Sequence, residues 1–143
     1  MVVSACLLGA CCNHRGGASP SAAVAALAAD HRLIPVCPEV AGGLATPRPE
    51  AERQPDGKVS TAGGCDVTKA YERGAAHAVA VAQAAGAATA VLKARSPSCG
   101  SGRIYDGTFT RTLTSGDGVT AAALSAAGVR VLDEDAVAAG LLR

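Results

Sequence analysis

The sequence predicts an α/β fold: a single three-layer α/β/α domain over residues 1–143 with a mainly parallel, open, Rossmann-like sheet. Three observations carry that prediction. Short apolar runs with β-branched residues alternate with Ala-rich helical segments along the chain, the pattern of a parallel sheet covered on both faces. A length of 143 residues is near that of one domain and is enough for an aliphatic core without disulfide or metal staples. Hydrophobic residues make up 49% and aromatics 2%, so the core must be built from Ala, Val and Leu.

Met1-Val2-Val3-Ser4-Ala5 reads as a buried first strand, with Gly9 soon after it. Residues 9–17 hold Asn13, His14 and Arg15 among glycines and form a loop. Ser19 then supplies an N-cap and Pro20 a first helical residue, for a helix reaching residues 27–30. Arg32-Leu33-Ile34-Pro35-Val36 is a second strand, with Pro35 expected near an end because it removes a ladder donor. Residues 38–64 carry Pro38, Pro47, Pro49 and Pro55 and read as a long excursion, with one small extended piece at Lys58-Val59-Ser60.

Asp66 is placed to cap a helix that runs to residue 85, where Gly86 stops it. Residues 88–92 form the third strand, followed by Lys93 and the loop Ser96-Pro97-Ser98-Cys99-Gly100. Ile104-Tyr105-Asp106-Gly107 reads as a turn or irregular extended piece, and Asp117 as the cap of a helix to residue 127. Residues 129–132 are the fourth strand, and Asp133 caps a final helix stopped by Gly140. No period of twenty to fifty residues repeats, and no low-complexity linker divides the chain.

The formal net charge of +1 supplies no global field that would favour nucleic acid or an anionic membrane. The scarcity of aromatics removes base stacking and aromatic cages as main recognition devices. No apolar run is long enough to span a bilayer. Leu8-Gly9-Ala10-Cys11 has the look of a lipoprotein cleavage site, but no Lys or Arg precedes it and its apolar run is too short for an export signal. A cytoplasmic protein is therefore expected. In that reducing compartment, six cysteines point to metal, cluster or redox chemistry rather than to a disulfide framework.

Cys6, Cys37 and Cys99 each follow a different predicted strand at its carboxyl end, where open parallel sheets bind their ligands. Three thiolates brought together repel one another unless a cation holds them, so their grouping itself suggests a metal centre. Soft sulfur donors select zinc or an iron-sulfur cluster. The chain lacks the C-x₂-C spacing usual in a closed zinc site. On a [4Fe-4S] cluster, three cysteines would leave one iron open to act as a Lewis acid.

Several segments resemble a bacterial domain-of-unknown-function family typified by an iron-sulfur-dependent thiouracil desulfidase. They begin with Val3-Ser4-Ala5-Cys6-Leu7-Leu8-Gly9 and Val36-Cys37-Pro38-Glu39-Val40-Ala41-Gly42-Gly43-Leu44, the latter followed by Pro47-Arg48. Asp66-Val67-Thr68, Lys93 with Ser96-Pro97-Ser98-Cys99-Gly100, Tyr105-Asp106-Gly107-Thr108-Phe109 and Gly116-Asp117-Gly118-Val119-Thr120 continue the match across nearly the whole chain. The resemblance implies a cytoplasmic enzyme in which Cys6, Cys37 and Cys99 hold an oxygen-labile [4Fe-4S] cluster, removing sulfur from a thiolated pyrimidine without net redox change. One loop departs: many relatives carry Arg-Tyr-Asp-Gly after Cys12, where this chain has Asn13-His14-Arg15-Gly16. If that loop lines the pocket, it bears on substrate identity.

Within that implied chemistry Glu39 is the candidate base or proton shuttle for water, with a loop cap or a bridge to Arg48 as its structural alternative. Ser96 and Ser98 are candidates to orient substrate or water, and also fit local turn caps. Lys93 could stabilise developing negative charge or pair with Glu39 or Asp66. His14, His31 and His77 are not expected to bind metal, whereas Cys11 or Cys12 could close a cluster or accept sulfur. Two other functions stay open: a non-enzymatic metal-binding or electron-transfer module, and a sulfur-inserting partner in tRNA thiolation, which the absence of a basic stripe disfavours.

Overall fold

The computed structural model describes residues 1–142. Strand β1, Val2–Ser4, is buried at every position and ends in a 3₁₀ turn, Ala5–Leu8, closed by Gly9 in the left-handed region at φ 96°. The first helix, α1, spans Ala22–Ala25 and passes into a further 3₁₀ turn over Ala26–Ala29. Its cap is Ser21, whose hydroxyl accepts from the Val24 amide at 3.3 Å, and not Ser19 as expected. The Ser19 and Ser21 amides donate to the Cys6 and Leu7 carbonyls, which ties this stretch to the turn after β1 and delays the helix.

Strand β2, Ile34–Val36, holds Pro35 at its centre rather than at an end. The sheet tolerates it because β2 is an edge strand paired only with β1, so the missing amide leaves no partner unsatisfied. Helix α2, Pro38–Ala41, follows at once, with proline at its first position where its absent N–H matters least. The Pro-rich excursion contains an antiparallel hairpin of β3, Ala51–Arg53, and β4, Val59–Thr61, of which only β4 is anticipated by sequence.

Helix α3, Thr68–Ala85, starts one residue later than a cap at Asp66 would place it. The Asp66 carboxylate instead accepts from both the amide and hydroxyl of Thr68, at 2.9 and 2.5 Å. Gly86 closes α3 in the left-handed region at φ 63°. Strand β5 spans Thr89–Leu92. The irregular piece near Tyr105 is a second antiparallel hairpin, β6 (Arg103–Tyr105) with β7 (Leu113–Ser115). Gly118, not Asp117, occupies the cap of α4, Val119–Ala126, because the Asp117 carboxylate is taken by the Gly102 amide at 2.7 Å. Strand β8, Arg130–Asp133, leads into α5, Glu134–Ala138, where the Asp133 carboxylate accepts from the Ala136 amide as expected.

The central sheet is parallel throughout, in the order β2-β1-β5-β8. Side chains alternate across it. Val2, Ala90 and Leu92 pack with Ala78 and Ala82 of α3 and with Ala121 and Leu124 of α4. Val3 and Val91 pack with Leu7, with Val24 of α1 and with Val137 of α5. Each fully buried Val or Leu contributes about 1.5–3 kcal/mol of transfer free energy, so stability is spread over many small side chains. The result is an α/β domain with a mainly parallel central sheet.

Two glycines let α2 rest directly on α3. A Cβ on Gly42 would overlap the Ala70 carbonyl, and one on Gly74 would overlap the Pro38 carbonyl. The backbones therefore touch at the segment that begins Cys37-Pro38-Glu39. Gly74, unfavourable for helix formation by about 1 kcal/mol relative to Ala, is required by this contact.

Candidate active site

From β1 the chain moves outward to β2, then returns to place β5 on the other side of β1. The connections leaving the carboxyl ends of β1 and β5 diverge, which opens the crevice where such sheets bind ligands. A cavity of about 290 Å³ lies there, and Cys6, Cys37 and Cys99 all line it. Cys6 sits in the turn after β1, Cys37 directly after β2, and Cys99 in the loop after β5. Cys12 is a fourth thiol on the same wall.

Each cysteine's segment is tied in place by hydrogen bonds. The Cys6 carbonyl accepts from the Ser19 amide at 3.0 Å. The Cys37 thiol donates to the Cys12 carbonyl at 3.7 Å. Ser96 Oγ accepts from the Ser98 and Cys99 amides at 3.1 and 3.0 Å, so the serine caps the turn that presents Cys99. Behind that turn lies Gly118, where a Cβ would overlap the Ser98 carbonyl and come within 2.7 Å of the Cys99 nitrogen. Ser4 Oγ accepts from the Lys93 amide at 2.9 Å and joins the ends of β1 and β5.

All six cysteines are free, with Cys11 and Cys65 exposed. Burial, reinforced by Cys37, pushes the Cys6 thiol up to about 11. Burial pushes Cys99 up to about 12 against opposing hydrogen bonds from Ser4 and Ser98. Cys12 rises to about 12 through burial and then its interaction with Cys37. Without a cation these sulfurs stay protonated; a cation would draw out their protons.

Among the described residues, no group of three or more His, Cys, Asp or Glu side chains closes around a point fit for one ion. Sulfurs around a single zinc must all approach within about 2.3 Å of it. A cluster carries its own irons and sulfides between its ligands and suits a more open set of thiols. The donor chemistry, three soft sulfurs from three strand ends on one cavity, fits a [4Fe-4S] group.

On the same cavity, in the helix that Cys37 caps, stands a polar assembly centred on Glu39. Its Oε1 accepts from the Tyr71 hydroxyl at 2.8 Å and from Arg48 Nε at 3.0 Å. Oε2 makes no hydrogen bond to another protein group among the described residues. Arg48 also donates to the Cys12 carbonyl at 2.7 Å and to the Thr46 hydroxyl at 2.9 Å. Its side chain is only 6% exposed, and although burial opposes its charge, the Glu39 carboxylate holds the guanidinium pKa above its ordinary value. Burial, then the Glu39 charge, moves the Tyr71 hydroxyl upward, so it remains a donor.

Of the polar candidates, Glu39, Ser96 and Lys93 line the cavity with the three cysteines, and Ser98 does not. Ser98 is fully buried, with its hydroxyl 2.9 Å from that of Thr120. Pro97 lies between the two serines, and the turn presents Ser96 to the cavity while packing Ser98 against α4. The Lys93 ammonium pairs with Glu134 Oε2 at 2.7 Å, not with Glu39 or Asp66. Glu134 Oε1 accepts the Ala94 amide at 2.6 Å, so one carboxylate fixes both the lysine and the loop behind it.

Sequence reasoning passed over Tyr71 and Arg111 and treated Arg48 only as a structural partner. A signal for Tyr71 was available in composition: the chain has three aromatic residues, and both tyrosines line the cavity. Aromatics are scarce, but they are spent at the site. The loop after Cys12 also contributes, since Asn13, His14 and Arg15 form part of the lining.

A family profile described as 2-thiouracil desulfurase matches residues 1–136. The chain is 41% identical over 144 residues to the uncharacterized protein YbbK of Bacillus subtilis (strain 168), covering 94% of this chain and 95% of that protein. Among solved structures it is similar to the [4Fe-4S]-dependent thiouracil desulfidase TudS, with 46% identity and a TM-score of 0.89 over 99% of this chain and 96% of that one. Sequence and fold thus agree, and the chain belongs to the 2-thiouracil desulfurase family.

Proposed function

We propose that this protein, acting as one desulfidase-like domain over residues 1–143, removes sulfur from thiouracil or a related thiolated nucleobase by non-redox hydrolysis. The observation that carries the reading is the cavity itself, which three free thiols from three strand ends line together with a hydrogen-bonded carboxylate. The reaction balances as one water consumed, a thiocarbonyl converted to a carbonyl, and one hydrogen sulfide released. We also read the helices on both faces of the sheet as a three-layer, Rossmann-like arrangement, and the free cysteines as those of a cytoplasmic protein.

Cys6, Cys37 and Cys99 would hold a [4Fe-4S] cluster, which supplies a Lewis-acidic iron with affinity for a soft sulfur. Glu39 receives the proton of the attacking water on Oε2, while Tyr71 and Arg48 fix the carboxylate through Oε1. Ser96 spends its acceptor capacity on two backbone amides, which leaves its O–H to donate toward the substrate. Lys93, steadied by Glu134, places positive charge where negative charge develops on the ring. The cavity, at about 290 Å³, suits a single small ring rather than a nucleic-acid strand.

Anaerobically prepared protein is expected to carry about four irons per chain, to release sulfide from 2-thiouracil, and to place one ¹⁸O from labelled water in the product. Iron-free protein with full activity, or iron-loaded protein that releases no sulfide, would overturn the proposal.

One observation favours a second reading. Cys12 lines the cavity beside Cys37 and could complete the ligand set of an electron-transfer centre. That reading requires a spectrum unchanged by 2-thiouracil and an iron content that falls in Cys12→Ser.

A further inference from the structure

We infer that Glu52 is a positioning residue that sets substrate affinity by fixing the loop 106–112, and with it Arg111, as one wall of the cavity; this rests on the desulfidase reading of the site. Glu52 lies on β3 and is 2% exposed, yet it forms no ion pair among the described residues. A buried carboxylate without a cation is costly, and in a hairpin strand an apolar side chain would serve packing better. Its hydrogen bonds all go to one place. Oε1 accepts from the Gly107 amide at 2.9 Å and from the Phe109 amide at 3.2 Å. The side-chain amide of Gln54, just after β3, donates to the Gly107 carbonyl at 3.2 Å, so this segment grips the loop at both the N–H and the C=O of one residue.

The loop needs that grip. Phe109 and Arg111 both have φ 59°, in the left-handed region that non-glycine residues seldom adopt. Its other bonds are internal: the Asp106 carboxylate accepts from the Thr108 amide, the Asp106 amide donates to the Thr112 carbonyl, and the hydroxyls of Thr108, Thr110 and Thr112 form a chain. These bonds shape the loop without attaching it to the domain.

What the attachment delivers is Arg111, which lines the cavity alongside Tyr105 of β6. Arg48, on the same cavity, is committed to Glu39, Cys12, Ala45 and Thr46. Arg111 makes no hydrogen bond or ion pair with another protein group among the described residues, which leaves its guanidinium donors for an oxygen acceptor on the substrate. An interaction of this kind acts on binding and not on the attack of water, so losing it should raise KM and spare kcat.

The test is a double-mutant cycle in the iron-loaded enzyme with 2-thiouracil. Glu52→Ala and Arg111→Ala are each expected to raise KM about tenfold, with kcat within about twofold of wild type. The double variant is expected to lose no more than either single one. Glu52→Gln should restore KM to near wild type, because the amide oxygen can accept the same two bonds. Should Glu52→Ala fail to fold, Gly107→Ala disturbs the loop from its other face, since its Cβ would lie 2.8 Å from Gln54 Oε1, and Arg111→Ala should mask its effect as well. Additive losses, a fall in kcat at constant KM, or equal behaviour of Glu52→Gln and Glu52→Ala would overturn the inference. Calorimetric titration of the iron-loaded protein with uracil, the reaction product, reads the same oxygen contact without turnover. Glu52-dependent binding without sulfide release would overturn the desulfidase reading alone, and binding unchanged in Glu52→Ala would overturn this inference.

Discussion

The two walls of the cavity are built in different ways. One wall consists of strand ends: Cys6, Cys37 and Cys99 follow β1, β2 and β5 of a sheet buried on both faces. The other is carried by the excursions between those units: Arg48 and Glu50 before the β3-β4 hairpin, and Tyr105 and Arg111 from the β6-β7 hairpin. The thiol wall inherits its geometry from the core and changes only if the fold does. The hairpin wall is held by a few polar contacts, among them Glu52 to the 106–112 loop and Arg53 to the Asp117 carbonyl, and can vary while the core stays constant. On the proposed function, the difference teaches a division of labour: the sheet fixes what reacts, and the hairpins select what is admitted.

The strongest test of the thiol wall is Cys99→Ala. It removes the sulfur of a residue whose backbone amide is held by Ser96 and backed by Gly118, and the iron content is expected to fall from about four per chain to near zero, with loss of sulfide release. Iron analysis and the visible spectrum check the first, and a sulfide assay checks the second. Glu39→Gln probes the polar group on the same cavity. On the proposed role of Glu39 as proton acceptor, a substitution that keeps shape should reduce kcat by about 10²–10⁴-fold with iron unchanged. If both iron and kcat survived, Glu39 would belong with the structural polar groups around Arg48.

The same contrast explains what could be read from sequence. Three strands ending near cysteines are legible because apolar β-branched runs and the carboxyl-end rule are local and general. The hairpins are not, since a three-residue strand such as Arg103–Tyr105 or Leu113–Ser115 has no period to detect and exists only through its partner. Pro35 misled by its type, because its acceptability depends on β2 being an edge, which strand order alone decides. Ser96 and Ser98 are alike in sequence, and only the packing of α4 against the turn sends one hydroxyl to the cavity and the other to Thr120. Lys93 found Glu134 as its partner across the β5-β8 register, a contact no spacing announces.

Rigid backing of the thiol wall can be challenged without touching a sulfur. Gly118→Ala places a methyl group against the Ser98 carbonyl and the Cys99 amide, both backbone groups that cannot move aside as a flexible side chain would. The strain is expected to cost about 1–3 kcal/mol in unfolding free energy and to lower iron content, measured by chemical denaturation and iron analysis. Unchanged values for both would show that the Cys99 turn has slack. The cluster-free protein offers a second probe. Its Cys99 thiol is raised from an ordinary 9.0 to about 12, so the folded state retains a proton that the unfolded chain releases. Stability from this group is complete below pH 9 and declines as pH rises toward 12, by on the order of 2 kcal/mol at pH 11. Cluster-free Cys99→Ala should therefore show a flatter alkaline fall in melting temperature than wild type.

The smallest expected effect is the one that separates position from chemistry. Cys65 is as much a thiol as Cys99, but it is exposed, follows β4 of the hairpin and not an end of the central sheet, and does not line the cavity. Its amide, not its sulfur, is engaged, donating to the Thr61 hydroxyl at 3.0 Å. Cys65→Ser keeps that amide and should change unfolding free energy by no more than about 0.5 kcal/mol, with iron content and kcat unaltered. A loss of iron here would mean that a hairpin cysteine reaches the cluster, and the assignment of reactive groups to the sheet alone would fail.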